Sequence, residues 1–583
     1  MSDTLQTSLP GGGPGGIQGE KRNRRRRILR RGPIGPMGWM SLAIAALLSL
    51  PVLSIATSVF RPGSDSWAHL ASTVLPAYLS NSLLLALAVG IGTPLIGVST
   101  AWLVTMCRFP ARRVFEWALI LPLAFPAYVM AYTYTEYFQP SGPVQRFIRD
   151  VTGLGFGEYW FPEVRSLGGA AAMLVLVLYP YVYLLARAAF IEQSVCALEV
   201  SRTLGCSPWR SFQRVALPLA RPAIVAGTAL ALMETLADFG TVSFFGVPTF
   251  TTGIVRSWIS FGDPIGAAQL STALLGLVFL LLIMELWSRR RLRFHHTSNR
   301  YQHLPGYRLR GLRACLALAC CGLPLFFGFL LPGGVLVHSS LQIFGEQIGD
   351  RFYGLIANSV TLAATTAFLA VLLATFIAYS QRLSPSPVSR IAARIAAMGY
   401  AVPGTVIAVG VLIPFAAFDN WLAGVIKNLL GISPGLLLTG SIAALVFAYL
   451  VRFLAVSLNT VEASLGKIRP NMDDAARSLG QGPMKTLSRV HVPIMRTSLL
   501  TAGLLVFVDV MKELPATLVM RPFNFDTLAV QAHNLASDER LSEAALPSLA
   551  IVLVGIPPLI VLSRAIAASR PGTKRRTRSS KED

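Results

Sequence analysis

The chain has 583 residues, of which 53% are hydrophobic and only 14% are charged, and its mean hydropathy is +0.57. This composition excludes a soluble globular protein and is typical of a polytopic membrane protein. A net charge of +23 is compatible with nucleic-acid binding. However, the basic residues are concentrated in the connections between apolar segments, which favours a lipid bilayer and no nucleic acid as the partner.

Twelve apolar stretches are each about 20 residues long, the length that an α-helix needs to cross a ~30 Å hydrocarbon core. We therefore expect an all-α polytopic membrane protein with about twelve transmembrane helices. The predicted spans lie near 38–60, 82–107, 115–134, 167–186, 222–238, 266–287, 313–338, 359–380, 395–417, 436–456, 498–519 and 545–563.

The distribution of basic residues predicts the orientation. With both termini in the cytoplasm, 41 of the 51 Lys and Arg residues fall in cytoplasmic segments. Short loops rich in Lys and Arg stay on the cytoplasmic side. We therefore expect cytoplasmic tails at 1–37, which is partly disordered, and at 565–583.

The first elbow, residues 199–218, predicts two short helices with a forced break between them. Gly205 stands where a helix would end in the left-handed conformation, and Ser207-Pro208 then restarts a helix. Pro218 predicts a second interruption. Trp209 and Phe212 are three residues apart and are expected to share an apolar face. The residues that define this elbow are Glu199, Gly205, Trp209, Phe212 and Pro218.

A near copy of this stretch returns 275 residues later and forms the second elbow, residues 474–493. Its break falls at Gly480, its apolar pair is Met484 and Leu487, and its closing proline is Pro493. The other defining residues are Asp474, Ala475 and Ala476. The alternative is an ordinary helix-turn-helix connection, which the repeat disfavours.

The repeat extends beyond the elbows. Asn81-Ser82 returns as Asn358-Ser359 and Pro126 returns as Pro403, both 277 residues later. Both elbows are predicted on one side of the membrane, so the two repeats are parallel and a pathway is expected between them. The predicted division is a leading span and outer loop at 38–76, repeat 1 at 77–287, a cytoplasmic linker at 288–312, a leading span and outer loop at 313–353, and repeat 2 at 354–564.

Acidic residues recur in corresponding spans of the two repeats. Glu234 matches Asp509 and Asp238 matches Glu513, each 275 residues apart. Residues four apart share one face of a helix, and an ionisable group inside a membrane is usually functional. The candidate pathway residues are therefore these four carboxylates together with Lys512. The alternative is a structural role, in which Lys512 neutralises a carboxylate and Asp238 lies at a hydrated helix end.

The elbows resemble the cytoplasmic loop of binding-protein-dependent ABC transporter permeases, whose pattern is Glu-Ala-Ala, three residues, Gly, nine residues, Ile-x-Leu-Pro. The second elbow has Asp474-Ala475-Ala476, Gly480 and Val490-x-Val492-Pro493, whereas the first departs from the pattern at Val200 and Ser201. The stretches 511–517, Met-Lys-Glu-Leu-Pro-Ala-Thr, and 521–528, Arg-Pro-Phe-Asn-Phe-Asp-Thr-Leu, resemble the fused permeases of ferric iron ABC importers.

This resemblance implies a permease subunit in the bacterial inner membrane that forms the translocation pathway. Its implied partners are two copies of a separate ABC ATPase, which dock on the elbows, and an extracytoplasmic substrate-binding protein. No Gly-x-x-x-x-Gly-Lys-Ser/Thr motif occurs in the sequence. We therefore expect no enzyme activity and no cofactor in this chain, with ATP and Mg²⁺ held by the partner ATPase, and we assign no metal site.

Two alternatives remain open from the sequence. Permeases for thiamine, phosphonate, sulfate and polyamines share the elbow. Only the sequences of the stretches 511–517 and 521–528 in the second repeat favour ferric iron. An ion-coupled secondary transporter can also have twelve spans and a repeat. Such a carrier, however, has no need of a docking elbow in each half.

Overall fold

The computed structural model describes residues 36–58, 60, 72–192, 207–290 and 307–568. Helices dominate this part of the chain, and the spans are mostly apolar all round because they contact both lipid and protein. In the first half the helices are α1 (Pro36–Ser58), α2 (Leu75–Met106), α3 (Arg112–Ala118), α4 (Ala127–Phe138), α5 (Pro143–Thr152), α6 (Leu167–Glu192), α7 (Pro208–Ser211), α8 (Leu217–Ala237), α9 (Gly240–Phe244), α10 (Phe250–Val255) and α11 (Pro264–Arg290).

The second half repeats this order. Its helices are α12 (Leu312–Leu325), α13 (Leu331–Gln347), α14 (Asp350–Leu383), α15 (Pro387–Ala397), α16 (Gly404–Leu430), α17 (Ile442–Leu465), α18 (Asn471–Ser478), α19 (Pro483–Thr486), α20 (Val492–Met511), α21 (Pro515–Met520), α22 (Leu528–Ser537) and α23 (Leu541–Ala568). Short 3₁₀ segments cover Leu121–Ala124 and Met398–Ala401, and turns of π-helix cover Phe212–Ala216, Arg256–Ser260, Phe326–Leu330 and Leu487–His491.

Within the described residues, eleven helices are long and apolar enough to cross a membrane. A twelfth crossing is formed if the bent pair Arg112–Ala124 and Ala127–Thr152 counts as one span. The predicted fold class, an all-α polytopic membrane protein with an internal repeat, is confirmed.

The predicted span near 498–519 is interrupted, because α20 ends at Met511 and α21 begins at Pro515. Two further predicted spans have wrong bounds. The span near 115–134 is not one straight helix, because the chain bends by 90° around Pro126. The span near 395–417 is in fact α16, which begins at Gly404 after a separate helix, α15. Both breaks have the same cause, since a proline disfavours helical geometry in the residue before it. Phe125 and Val402, which precede the two prolines, are accordingly extended.

The repeat is visible in equivalent contacts. Asn81 Nδ2 donates to the carbonyl oxygen of Pro248 at 2.9 Å, and Asn358 Nδ2 donates to that of Asp526 at 3.0 Å. Six of the candidate spans lie between the first elbow and the second. An even number of crossings returns the chain to the side from which it started, so both elbows lie on one side. We call this the elbow side and the other the far side.

The leading span of each half packs against the other half. On α1, the carbonyl oxygen of Met37 accepts a hydrogen bond from Ser380 Oγ at 3.1 Å. A Cβ on Gly410 would lie 2.6 Å from the carbonyl oxygen of Pro51, so only a glycine permits this close approach of α16 to α1. Conversely, Tyr134 of the first half donates to the carbonyl oxygen of Phe327, between α12 and α13, at 2.6 Å. The two halves are therefore interlocked.

A short parallel strand pair fastens the end of the linker. Strand β1 (Cys107–Arg108) pairs with β2 (Tyr307–Arg308), and the Leu309 N–H donates to the carbonyl oxygen of Arg108 at 3.0 Å. The predicted linker, 288–312, therefore begins as a continuation of α11 and ends against the first half, while 291–306 lie outside the described residues.

Candidate functional site

The second elbow turns at a left-handed glycine, as the sequence predicts. Gly480 has φ +73° and follows the C-cap of α18. Its N–H donates to the carbonyl oxygen of Arg477 at 2.9 Å, and the Gln481 N–H donates to that of Ala476 at 3.0 Å. These two bonds form a Schellman motif, in which glycine is favoured because it has no Cβ. The equivalent Gly205 of the first elbow, and Glu199, lie outside the described residues.

The predicted interruption at the closing proline is wrong in both elbows. Pro493 and Pro218 lie in the first turn of α20 and α8, and each helix is continuous with the preceding turn of π-helix. The Val492 N–H bonds to the carbonyl oxygen of Leu487, and the Leu217 N–H to that of Phe212, five residues back in each case. This shift of register accommodates a residue that has no N–H, so the proline does not break the helix.

The predicted apolar pair of the first elbow shares one face, since the ring centres of Trp209 and Phe212 are 5.4 Å apart. The two members of each pair differ, however, in exposure. Trp209 and Met484 are 63% and 54% exposed, but Leu487 is buried and Phe212 is half-buried. The ring of Phe212 lies 4.8 Å from that of Trp102 in α2. One residue of each pair therefore faces outward while the other anchors the elbow to the helices behind it.

The Glu-Ala-Ala-like triplet of the second elbow lies on α18 at the surface. Asp474 and Ala475 are exposed, while Ala476 is buried against the fold. The Asp474 carboxylate lies 3.6 Å from the guanidinium of Arg477 on the same helix. The triplet therefore presents one acidic and one small side chain to solvent.

Residues that the sequence analysis did not single out hold the second elbow in place. Asp473 forms an ion pair with Arg382 at the end of α14, at 2.7 Å, and lies 2.6 Å from Nε2 of the buried His491. Arg382 also donates to the carbonyl oxygen of Leu465 at 2.7 Å. Tyr379 donates to the carbonyl oxygen of Pro483 at 2.8 Å. The one sequence signal for this network was Arg382, which lies at the end of an apolar span.

The acidic pairs of the predicted pathway are not on one helical face. Helix α8 ends at Ala237 and α20 ends at Met511, so Asp238 and Glu513 lie beyond the helices that carry their partners. The chain turns there because each carboxylate binds the N-terminal N–H groups of the next short helix, an arrangement favoured by the unpaired donors of a helix start.

The two carboxylates beyond the helix ends have equivalent partners. Asp238 accepts hydrogen bonds from the N–H groups of Thr241 and Val242, both at 3.1 Å, at the start of α9. Glu513 accepts from the N–H groups of Ala516 at 3.0 Å and Thr517 at 3.1 Å, at the start of α21. Asp238 and Glu513 therefore each bind the start of the next short helix, a contact that neither sequence hypothesis included.

The other charged residues meet in a cavity of about 110 Å³ between the halves. Lys512 pairs with Asp509 at 2.9 Å. Arg452 of α17 lies 3.1 Å from Glu513 and 3.8 Å from Glu234 of the other half. Glu234, Asp509 and Lys512 keep 19–26% of their side chains exposed, whereas Glu513 keeps 2%. The cavity therefore presents two carboxylates and one ammonium group.

Arg452 is a charged residue of the cavity that the sequence analysis did not single out. It is buried within α17. A Cβ on Gly404 would come within 2.5 Å of the Arg452 guanidinium and 2.6 Å of the Glu513 carboxylate. The glycine that begins α16 therefore makes room for this ion pair.

The described residues contain no group of three or more His, Cys, Asp or Glu side chains arranged to hold a metal ion. The lining of the cavity combines four carboxylates with one guanidinium and one ammonium group, so the cations balance part of the negative charge. The cavity is thus lined by charged groups from both halves.

Comparison with known proteins gives the class. The family described as the inner membrane component of binding-protein-dependent transport systems matches residues 93–293. This match and the repeated helical fold make the chain similar to the permease subunits of ABC importers.

Two ferric iron permeases are similar to this chain over most of its length, and a molybdenum permease is similar over a third of it. The Fe(3+)-transport system permease protein FbpB 2 of Haemophilus influenzae is 26% identical over 91% of this chain and 99% of its own length. The ferric transport system permease protein FbpB of Actinobacillus pleuropneumoniae is 23% identical over 83% of this chain and 71% of its own length. The molybdenum transport system permease protein ModB of Escherichia coli is 29% identical over 33% of this chain and 84% of its own length. The predicted resemblance to fused ferric iron permeases is confirmed.

Proposed function

We propose that this chain forms the translocation pathway of an importer for ferric iron in the bacterial inner membrane. Both termini and the elbow side face the cytoplasm. Two copies of a separate ATPase hold ATP and Mg²⁺, and an extracytoplasmic binding protein delivers the substrate to the far side. The observation that supports iron is the similarity to FbpB 2, which spans 91% of this chain, whereas ModB matches only 33% of it.

The elbows are the proposed docking sites of the ATPase. Each presents one large exposed apolar side chain, Trp209 or Met484, beside exposed basic residues, Arg210 or Lys485. An apolar anchor that enters a pocket and is surrounded by polar contacts is the usual form of a docking hot spot. The π-turns carry each elbow directly into α8 and α20, which end at the charged cavity. Movement of an elbow would therefore reach the cavity through one continuous helix.

The pathway role is proposed for Glu234 and Asp509. Their carboxylates face the cavity, while Asp238 and Glu513 are engaged by helix N-termini. Ferric iron and its complexes prefer hard oxygen ligands, so carboxylates favour their passage. Glu234→Gln should lower uptake while assembly and basal ATP hydrolysis stay intact, and unchanged uptake would exclude this role.

The substrate is tested by uptake into vesicles. The chain, its ATPase and its binding protein are reconstituted in liposomes, and uptake of radioactive ferric iron is followed with and without ATP. We expect uptake that depends on ATP and on the binding protein, and that excess molybdate or sulfate does not reduce. An importer for molybdate or sulfate is the second candidate, supported by the ModB and CysT matches. Uptake of either oxyanion instead of iron would establish it.

The orientation is tested by single-cysteine labelling in a cysteine-free chain. Arg310→Cys lies beside β2 near the end of α2, and Phe156→Cys lies in the exposed segment between α5 and α6. A membrane-impermeant reagent added outside should label position 156 and leave position 310 unlabelled. The reverse pattern would overturn the orientation and, with it, the coupling proposal.

A further inference from the structure

An ion pair joins the two halves on the far side. Arg165 lies in the segment before α6, and Glu539 lies in the turn between α22 and α23. The Arg165 Nη1 donates to Glu539 Oε1 and Nη2 donates to Oε2, each at 2.9 Å. Two parallel hydrogen bonds of this kind are stronger and more specific than a single contact. They also hold the pKa of the Glu539 carboxyl below its ordinary value.

Glu539 occupies a backbone position that favours glycine. Its φ is +60°, and it follows the C-cap of α22. The Glu539 N–H donates to the carbonyl oxygen of Ala536 and the Arg540 N–H to that of Leu535, which is the same Schellman motif that Gly480 forms in the second elbow. In the first half the position before the corresponding helix is Gly262, with φ +58°. A residue with a Cβ is strained in this conformation. The backbone conformation therefore does not explain why a glutamate occupies this position.

The ion pair continues into the interface between the halves. The Arg165 guanidinium lies 4.8 Å from the ring centre of Phe244 on α9. Phe244 packs edge-on against Tyr132 at 4.6 Å, and the Tyr132 hydroxyl lies 2.8 Å from Nδ1 of His533 on α22. Tyr132 and His533 belong to different halves, so a second contact across the interface lies behind the first. Helix α9 is the one whose start binds Asp238 at the charged cavity.

We propose that the pair Arg165–Glu539 is a latch that holds the two halves together on the far side and opens when they separate there to admit substrate. The latch closes the far end of the interface, and Phe244 and α9 connect it to the wall of the cavity. Only the statement about substrate rests on the proposed transport function. The closing of the interface is a property of the chain alone.

The latch is tested by a distance across the interface. Spin labels are placed at the exposed positions Glu163→Cys and Ser537→Cys in a cysteine-free full chain in lipid nanodiscs, and electron–electron double resonance gives the distribution of distances. Glu539→Gly is the test variant, because it removes the carboxylate while relieving the backbone strain, so the fold is retained. We expect the population at longer distance to rise about two- to fivefold, the effect of one exposed bidentate pair.

The matched control is Arg540→Ala, which removes an ion pair with Glu543 that lies beside the latch but within one half. It should leave the distances unchanged. The exchange Arg165→Glu with Glu539→Arg should restore much of the short-distance population. An unchanged distribution in Glu539→Gly, or an equal shift in the control, would overturn the latch. Because neither ATPase nor substrate is needed, this result is independent of the outcome of the iron-uptake experiment.

Discussion

The two halves share a backbone plan but differ in how they neutralise buried charge. Their carboxylates correspond, Glu234 with Asp509 and Asp238 with Glu513. The cations that line the cavity, Arg452 and Lys512, belong to the second half, and the matching positions in the first half are Val177 and Ala237. The repeat therefore preserves the acidic groups, and the second half supplies the positive charge for both.

The two elbows also differ in the side chains that hold them against the fold. The second elbow is fastened by the ion pair Arg382–Asp473 and by His491. The first is packed by aromatic rings, with Phe212 between Trp102 and Trp209. The helix restart at Pro208 and Pro483 and the following turn of π-helix recur in both halves, whereas the described side chains that fasten the elbows differ. The two repeats therefore resemble each other more in backbone shape than in the placement of their charged side chains.

The largest effect is expected from Arg452→Val, which gives the second half the residue that the first half has. It leaves the Glu513 carboxylate, 2% exposed, without a counter-ion. Removing one partner of a buried pair costs about 3–5 kcal/mol. Denaturant unfolding of the purified protein should show this loss, and adding Glu513→Gln should recover most of it. A single variant as stable as the parent would show that the halves do not differ in this way.

The next effect concerns the glycine turn of the second elbow. Gly480→Val places a β-branched residue at φ +73°, at a cost of about 1–2 kcal/mol or more. We expect ATP-driven uptake to be lost while membrane insertion is kept. Gly482→Ala is the matched control, because Gly482 has φ −71° and a Cβ there meets no atom within 4 Å. Normal uptake in the valine variant would remove the elbow from the coupling mechanism.

A smaller effect is expected from Asp473→Asn, which weakens the ion-pair network of the second elbow. Loss of charge-assisted hydrogen bonds to Arg382 should cost about 1–3 kcal/mol. Hydrogen–deuterium exchange should become faster in α18 and unchanged near α7. Asp474→Asn, at an exposed surface pair, is the control and should change exchange little. Equal acceleration at both elbows would contradict the difference in fastening.

The smallest effect tests a contact that the halves share. Asn81→Ala and Asn358→Ala each remove one hydrogen bond to a loop carbonyl, worth about 1 kcal/mol. The two losses in unfolding free energy should be equal within the error of measurement. A large difference between them would show that the halves diverge in their backbone frame as well as in their charges.

The sequence predicted the features that single residues impose. Gly480 and Pro483 determine a break and a restart locally, and the apolar stretches are long enough to identify the spans. It failed where geometry depends on distant residues. Asp238 lies beyond the end of α8 because its carboxylate binds the N-terminus of α9. Arg452 faces the interior because it pairs with Glu513 and because Gly404 leaves space for this ion pair. The sequence analysis predicted a helix break at Pro493 because proline is a strong sequence signal. The turn of π-helix that accommodates this proline has no comparable signal in the sequence.

The interlocked leading spans bear on how the protein is made. Helix α1 is complete at Ser58, but α15, against which it packs, begins only at Pro387. At bacterial rates of synthesis the first span waits on the order of tens of seconds for its neighbours. During this time it is held by lipid or by the insertion machinery. A chain that stops after the first half would lack α15 and α16, so α1 can complete its packing only after these helices of the second half have been synthesised.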